Sequence, residues 1–311
     1  MRVLVTGGAG FIGSHLCERL VSLGHDVVCI DNFNDFYDPR LKKANIKGIR
    51  MRTYRADIRD YSKLQRIFRK EKPSKIVHLA AMAGVRPSIK APGLYNEVNV
   101  TGTLNLLELS RLHKVGHFIF GSSSSVYGMN SRVPFSEDDA TDNMISPYAA
   151  TKRIGEYYCR VYSSLHGMDI TCLRFFTVYG PRCRPDLAAM KFMTKIDSNE
   201  PLEFYGDGST MRDYTYVDDI VDGIVAALGK RFRYEIINLG DSKPVKLKDM
   251  LQTIEAALKK KAIVIRKPIP PGDVVATFAD IRKAKKLLGY RPKVAFRIGI
   301  AKMAKWYRET R

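Results

Sequence analysis

Arg2-Val3-Leu4-Val5-Thr6-Gly7-Gly8-Ala9-Gly10-Phe11-Ile12-Gly13 stands at the head of the chain, directly after Met1. A short apolar run passes into a glycine turn, and a helical pattern begins at once. The glycines at 7, 10 and 13, with a further one at 8, follow Gly-x-x-Gly-x-x-Gly rather than Gly-x-Gly-x-x-Gly. Glycine permits a tight turn and lets the backbone approach a pyrophosphate. The helix N-terminus then supplies free N–H groups and the positive end of its dipole. Placed strand–turn–helix at the start of an alternating chain, these residues read as a dinucleotide cradle.

Working outward, the alternation continues. Predicted strands run over 2–6, 26–31, 51–56, 75–80, 117–122 and 169–175, and predicted helices over 12–23, 61–69, 97–113 and 148–166. The strands are short and almost continuously apolar, as expected when helices cover both faces. This pattern predicts an α/β fold, a doubly wound parallel Rossmann sheet. After Pro181 the texture changes: Pro and Gly become frequent, with isolated strands such as 202–205 and a terminal amphipathic helix over 296–308. Residues 1–180 are expected to form the cofactor domain, rejoined by about 215–241. Residues 181–311 are expected to form a smaller α/β substrate-binding lobe, with a cleft near residue 180.

The chain has 311 residues, 45% hydrophobic and 27% charged, an ordinary globular balance. No apolar run approaches a bilayer span, and no signal-peptide pattern follows Met1, so a cytoplasmic address and no membrane partner are expected. The five cysteines, Cys17, Cys29, Cys159, Cys172 and Cys183, show no Cys-x-x-Cys pair, which argues against a disulfide framework or a metal site. Four lie in apolar patterns, and Cys183 lies in a polar loop where exposure is expected. The net charge of +20 suits anionic partners. The positive residues are scattered and accompany no zinc-finger or RNP-type motif, so solubility is the simpler reading and no nucleic-acid partner is expected.

Asp31 ends the second predicted strand, 18 residues beyond Gly13. A carboxylate there accepts hydrogen bonds from ribose hydroxyls and repels a 2′-phosphate, which favours NAD over NADP. Its other reading is a turn cap in Asp31-Asn32-Phe33-Asn34. Tyr148 and Lys152 lie one helical turn apart in Ser146-Pro147-Tyr148-Ala149-Ala150-Thr151-Lys152. A phenol titrates near ~10 in water. A nearby cation favours phenolate and makes a base for a hydroxyl proton. Alone, the pair also fits an ordinary exposed helix face.

With these pieces in place the chain resembles the nucleotide-sugar epimerases of the extended short-chain dehydrogenase/reductase superfamily, over nearly its whole length. Besides the glycine turn, the resemblance rests on Asp57-Ile58, His78-Leu79-Ala80-Ala81, Asn99-Val100-Thr101-Gly102-Thr103 and Ser122–Ser125 before Val126-Tyr127-Gly128. It continues with Tyr148-x-x-x-Lys152, Arg174–Pro181 and Arg212–Asp219. The resemblance implies bound NAD held by Gly7, Gly10, Phe11, Ile12, Gly13, Asp31, Asn32, Asp57, Ile58, Leu79, Ala80, Ala81, Asn99, Tyr148 and Lys152. It implies that Tyr148 takes the proton of the sugar 4-hydroxyl, that Lys152 lowers the phenol pKa, and that Ser123 hydrogen-bonds the 4-oxygen. It also implies a homodimer built on helices 97–113 and 148–166.

Among relatives the chain looks most like UDP-glucuronate 4-epimerases. Ala83-Gly84-Val85-Arg86, Phe176–Asp186, Pro271-Gly272-Asp273-Val274 and Thr277-Phe278-Ala279-Asp280 carry this. Similar 4,6-dehydratases place an Asp-Glu pair where Ser124 and Ser125 stand, and decarboxylases a Glu at Ser125. Neither serine supplies the proton relay that elimination needs. Substrate contacts are expected at Arg86, Ser123, Ser124, Ser125, Thr177, Arg184, Arg212 and Asp273. Arg212 is assigned to the diphosphate, and Arg184 with Thr177 to a C5 carboxylate. Arg184 and Arg182 as diphosphate or solvent contacts is the competing reading. Two positions depart from the family pattern: Met82, where Gln is usual, and Pro270. UDP-glucose 4-epimerase is the alternative function, with a decarboxylase or a non-catalytic NAD-binding relative behind it.

Overall fold

The structure, a computed structural model, describes residues 1–130, 132–269 and 275–310. Among the described residues thirteen strands, in chain order, are β1 (Arg2–Thr6), β2 (Asp26–Asp31), β3 (Arg52–Arg55), β4 (Lys75–His78), β5 (His117–Ser123), β6 (Ile170–Phe175), β7 (Thr177–Tyr179), β8 (Leu202–Tyr205), β9 (Met211–Tyr216), β10 (Tyr234–Leu239), β11 (Pro244–Lys246), β12 (Val264–Lys267) and β13 (Ala276–Thr277).

Seven of them form a parallel sheet in the order β10-β6-β5-β4-β1-β2-β3. The α/β doubly wound Rossmann expectation holds. Side chains alternate across β1: Val3 and Val5 pack on one face with Leu16 and Ile220, and Leu4 packs on the other with Phe68 and Leu106. Both faces are therefore dry, which is why the strands read as continuous apolar runs. The strand order reverses between β1 and β4, and a crevice opens there at the carboxyl ends of the strands.

β9 gathers β7 and β13 in parallel and β11 antiparallel into a second sheet, and β8 pairs with β12 beside it. Asp213, fully buried, ties β9 to the turns that follow β10 and β13. Its carboxylate accepts the backbone N–H groups of Asp241 (2.7 Å), Ser242 (2.9 Å) and Ala279 (3.1 Å) and the Thr215 hydroxyl.

Two expectations change. Cys183 is buried at 4% exposure, and burial pushes its thiol up to about 12. Its segment folds back from Gly180, whose carbonyl accepts the Cys183 N–H, and the side chain joins the core. The helix expected over 97–113 opens as a π-turn, Glu97–Thr101, before the α-helix Gly102–Leu112. The wider turn brings Asn99 inward as well as Gly102, and a Cβ on Gly102 would lie 2.5 Å from the Ile58 side chain.

Candidate active site

The glycine turn packs backbone against backbone. Gly7 has φ +71°, and a Cβ there would stand 2.8 Å from the Ala80 nitrogen. A Cβ on Gly13 would stand 2.1 Å from the Gly7 carbonyl oxygen. Gly7, Gly10, Phe11, Ile12 and Gly13 thus form one wall with Leu79, Ala80 and Ala81, and all eight line a cleft of ≈ 1090 Å³ counted to its open mouth. Asp31 lines it too. Its carboxylate accepts the N–H of Ala9 (3.2 Å) and of Phe33 (2.8 Å), so it caps the turn as well as facing the cleft. A backbone cradle that no side chain can enter, beside a fixed carboxylate acceptor, suits a dinucleotide with free ribose hydroxyls.

Asn32 lines the cleft and donates to Asp57 at 3.0 Å. Burial raises the Asp57 carboxyl, but hydrogen bonds from Arg59 and Asn32 outweigh it and hold the group at about 2. Asp57 itself stands behind the wall, with its neighbours Ala56 and Ile58 in it. Asn99 also stands behind the wall. Its amide accepts from Met82 N (2.8 Å) and donates to Met82 O (3.0 Å) and Thr151 Oγ1 (3.0 Å), pinning the Leu79–Met82 loop to the helix Pro147–His166.

That helix carries Tyr148 and Lys152 into the cleft. Ser146 caps it by accepting the Ala149 N–H at 3.1 Å, and Pro147 takes the first position, where its missing N–H costs nothing. Burial pushes the Tyr148 phenol above its ordinary value, while a hydrogen bond with Ser123 and the Arg184 charge pull it down. Lys152 is buried and donates to the Gly121 carbonyl at 2.7 Å, with its ammonium 5.1 Å from the Phe120 ring centre. Burial brings its pKa down to about 8. In this structure the cation that the phenol feels is Arg184, whereas the sequence pointed to Lys152.

Ser123 ends β5, where its hydroxyl accepts the Ser125 N–H at 3.2 Å. Ser124 and Ser125 follow in a short 3-10 turn, Ser124–Tyr127. Ser122 donates to Glu156 at 2.7 Å, and Glu156 is forked onto Arg174, so β5, β6 and the Tyr148 helix are locked together. Arg184 reaches the same cleft as Tyr148 and Lys152. Thr177 opens β7, Arg212 lies in β9 with its guanidinium bonded to Met211 O, and Arg86 stacks on the Tyr205 ring at 5.3 Å. None of these three, nor Ser123, Ser124 or Ser125, is in the wall of this cleft. Asp273 and the stretch 270–274 lie outside the described residues.

Sequence reasoning missed Asn34, Phe36, Tyr37 and Lys42, which also line the cleft. The run of short polar residues after Asp31 is the signal that could have found them. Asp31, Asn32 and Asn34 each accept a nearby backbone N–H and fold the loop back over the cleft.

The NAD dependent epimerase/dehydratase family matches residues 3–240. The chain is 42% identical over 311 residues to a UDP-glucuronate 4-epimerase of Thermodesulfobacterium geofontis, covering 98% of this chain and 96% of that protein. It is also similar to the solved UDP-glucuronic acid 4-epimerase from Bacillus cereus in complex with UDP-glucuronic acid and NAD: TM-score 0.93, 37% identity, 100% of each chain covered. The UDP-glucose 4-epimerase from Thermotoga maritima with UDP-glucose gives TM-score 0.93 at 32% identity, over 100% of this chain and 99% of that one.

Proposed function

The chain belongs to the NAD dependent epimerase/dehydratase family, and from that premise we propose that its substrate is UDP-glucuronate, converted to UDP-galacturonate. It is an NAD-dependent UDP-sugar 4-epimerase. The observation that carries the uronate reading is Arg184, a guanidinium in the wall of the cleft that also holds Tyr148 and Lys152. A neutral hexose has no group at C5 that calls for a fixed cation, and a uronate has a carboxylate there.

Tyr148, as phenolate, takes the proton of the C4 hydroxyl, and the Ser123 hydroxyl hydrogen-bonds the same oxygen. Bound NAD supplies the acceptor for the C4 hydride and the donor that returns it to the other face of the sugar. Lys152 holds its positive charge against the β5 backbone beside Ser122 and Ser123. Ser124 and Ser125 offer no carboxyl for removing or adding a proton at C5, so the reaction stops at inversion. We assign Arg212 to the nucleotide diphosphate, Arg86 to a further contact with the nucleotide sugar, and Arg184 with Thr177 to the carboxylate. The cofactor half is 1–180 with about 215–241, and the remainder of 181–311 binds the nucleotide sugar.

Oxidation at C4 makes the uronate a β-keto acid. Arg184 and Thr177 keep its carboxylate bond out of line with the ketone π system, so CO₂ is retained. Incubation with UDP-glucuronate and UDP-glucose in parallel, with analysis of the released sugars, tests the assignment. Galacturonate is the expected product. Galactose from UDP-glucose with no galacturonate moves the enzyme to the alternative substrate, and no 4-epimer from either overturns the reading.

We also assign a homodimer. The helix Pro147–His166 exposes Ile154, Tyr157, Val161 and Leu165 at helical spacing, a continuous apolar stripe suited to a second copy. A monomeric mass in light scattering at micromolar concentration contradicts this. Among the described residues no helix is long and apolar enough to cross a membrane. The five thiols are free, which suits a reducing compartment, and we place the enzyme in the cytoplasm.

A further inference from the structure

Arg184 is held from two sides. Asp186 accepts from its Nε at 2.9 Å and from its Nη2 at 2.7 Å, using both carboxylate oxygens. Phe36 places its ring centre 5.5 Å from the guanidinium carbon. A guanidinium offers a side edge, Nε with Nη2, and an end edge, Nη1 with the second hydrogen of Nη2. Asp186 takes the side edge, which leaves the end edge as the fork for a second carboxylate. The Phe36 ring limits how far the guanidinium plane can tilt.

Phe36 belongs to the segment that Asp31 starts. Asp31 accepts the Phe33 N–H, Asn32 accepts the Asn34 N–H at 3.0 Å, and Lys42 donates to the Asn34 carbonyl at 2.9 Å. The carboxylate that faces the cofactor cradle and the ring beside Arg184 therefore belong to one hydrogen-bonded segment.

We infer that Asp186 and Phe36 are positioning residues for Arg184, and that they set which reaction follows oxidation rather than how tightly a uronate binds. This rests on the reading of Arg184 as the partner of the uronate carboxylate. The sign of the charge separates orientation from affinity. Asp186 carries the same charge as the incoming carboxylate, so its electrostatic effect on uronate binding is unfavourable. What it contributes is a fixed direction for the end edge of Arg184.

Direction matters because of the bond at stake. If the C5–C6 bond of the 4-keto uronate lines up with the ketone π system, it breaks. Its electron pair passes to the C4 oxygen as an enolate, CO₂ leaves, and a proton adds at C5. The hydride taken from C4 then returns to the ketone. The net change is uronate plus one proton giving pentose plus CO₂, with no outside oxidant or reductant.

The test uses the purified holoenzyme with its bound NAD and UDP-glucuronate as the probe. Asp186→Asn keeps the shape and removes the charge. We expect an unchanged or lower KM, a kcat lower by about tenfold or more, and a clear rise in UDP-pentose and released CO₂. Phe36→Leu should raise pentose without lowering KM. Bound NAD and melting temperature stay at wild-type values in both. A merely structural role would instead lower NAD content or melting temperature at an unchanged product ratio, and that result overturns the inference. So does a wild-type kcat and product ratio in Asp186→Asn. If the wild type itself does not epimerise UDP-glucuronate, the uronate reading fails first. If it does, and the variants keep its product ratio, only the positioning role falls.

Discussion

Lys152 donates its ammonium to the carbonyl of Gly121 at 2.7 Å, one residue before Ser122 and two before Ser123. The bond crosses from the helix that carries Tyr148 to the strand that carries the serines. It ties the phenol-bearing helix to the strand of its hydroxyl partner Ser123. Lys152→Ala removes both this tie and a buried positive charge. We expect kcat to fall by about 10²- to 10⁴-fold, the range for losing a positioned proton-transfer group or its partner. Steady-state kinetics measures it. A variant within a factor of two of wild type contradicts the assignment.

Gly13→Ala should abolish cofactor retention. A methyl group at that position meets the Gly7 carbonyl oxygen at 2.1 Å, and every atom it crowds is backbone, so no side chain can swing aside to admit it. The expected product is a folded protein, purified without NAD and inactive. Absorbance of the cofactor released by denaturation measures occupancy, and wild-type occupancy would disprove the packing argument.

Glu156 is fully buried and is forked onto Arg174 at 2.9 Å on both oxygens. Burial alone would raise its carboxyl, but Arg174, Ser122 and Arg153 outweigh that and lower it. A folded-state pKa below the unfolded value means that the stabilisation is complete above the unfolded pKa, near ~4.3, and is lost as pH falls through the folded value. Glu156→Ala leaves Arg174 buried without its partner. It should cost about 3–5 kcal/mol in denaturant titration at neutral pH. A loss under 1 kcal/mol (roughly the worth of an exposed pair) would place the network at the surface instead.

Asp241 shows the opposite sign. Burial, helped by Asp213 and Asp219 and opposed by Lys243, raises its carboxyl to about 6. Its folded-state pKa exceeds the unfolded value of ~3.9, so the folded protein binds the proton more tightly. Stability on this account falls as pH rises from about 4 to about 6, and stays at its lower level above. Asp241→Asn removes the dependence and should stabilise the protein by about 1–2 kcal/mol at pH 7–8. Melting curves at pH 5 and pH 8 for both proteins check this, and a variant that melts lower at pH 8 reverses the conclusion.

The cofactor cradle was legible because its requirements are local. Gly7 needs a positive φ, Gly13 needs the absence of a Cβ, and both demands fall on a residue type visible in the chain. Tyr148 and Lys152 were legible because helical spacing alone puts them on one face. Phe36, Tyr37 and Lys42 carry no signal in their own residue types: the polar run Asp31, Asn32 and Asn34 marks a turn, and only packing decides that the turn lies over the cleft. Asn99 shows a different limit. Its motif placed it near the cofactor, and its amide turns out to be engaged with Met82 and Thr151. Cys183 is buried despite its polar sequence context, because the segment after Gly180 packs against the core, a contact that no neighbouring residue type signals.

The sequence by itself determined the parallel doubly wound sheet, the glycine cradle and the Tyr–Lys pair. Each follows from periodicity, backbone freedom or one helical turn, all set within a few residues. Only the tertiary structure decided which charges meet. Arg184, 36 positions further along the chain, lines the same cleft as Tyr148 and lowers its phenol pKa, while being forked by Asp186 and faced by Phe36. Lys152 lies nearest in sequence, but its ammonium turns to Gly121. Electrostatic effects depend on distance and burial in space, and these are set by how loops from three separate parts of the chain close over one cleft.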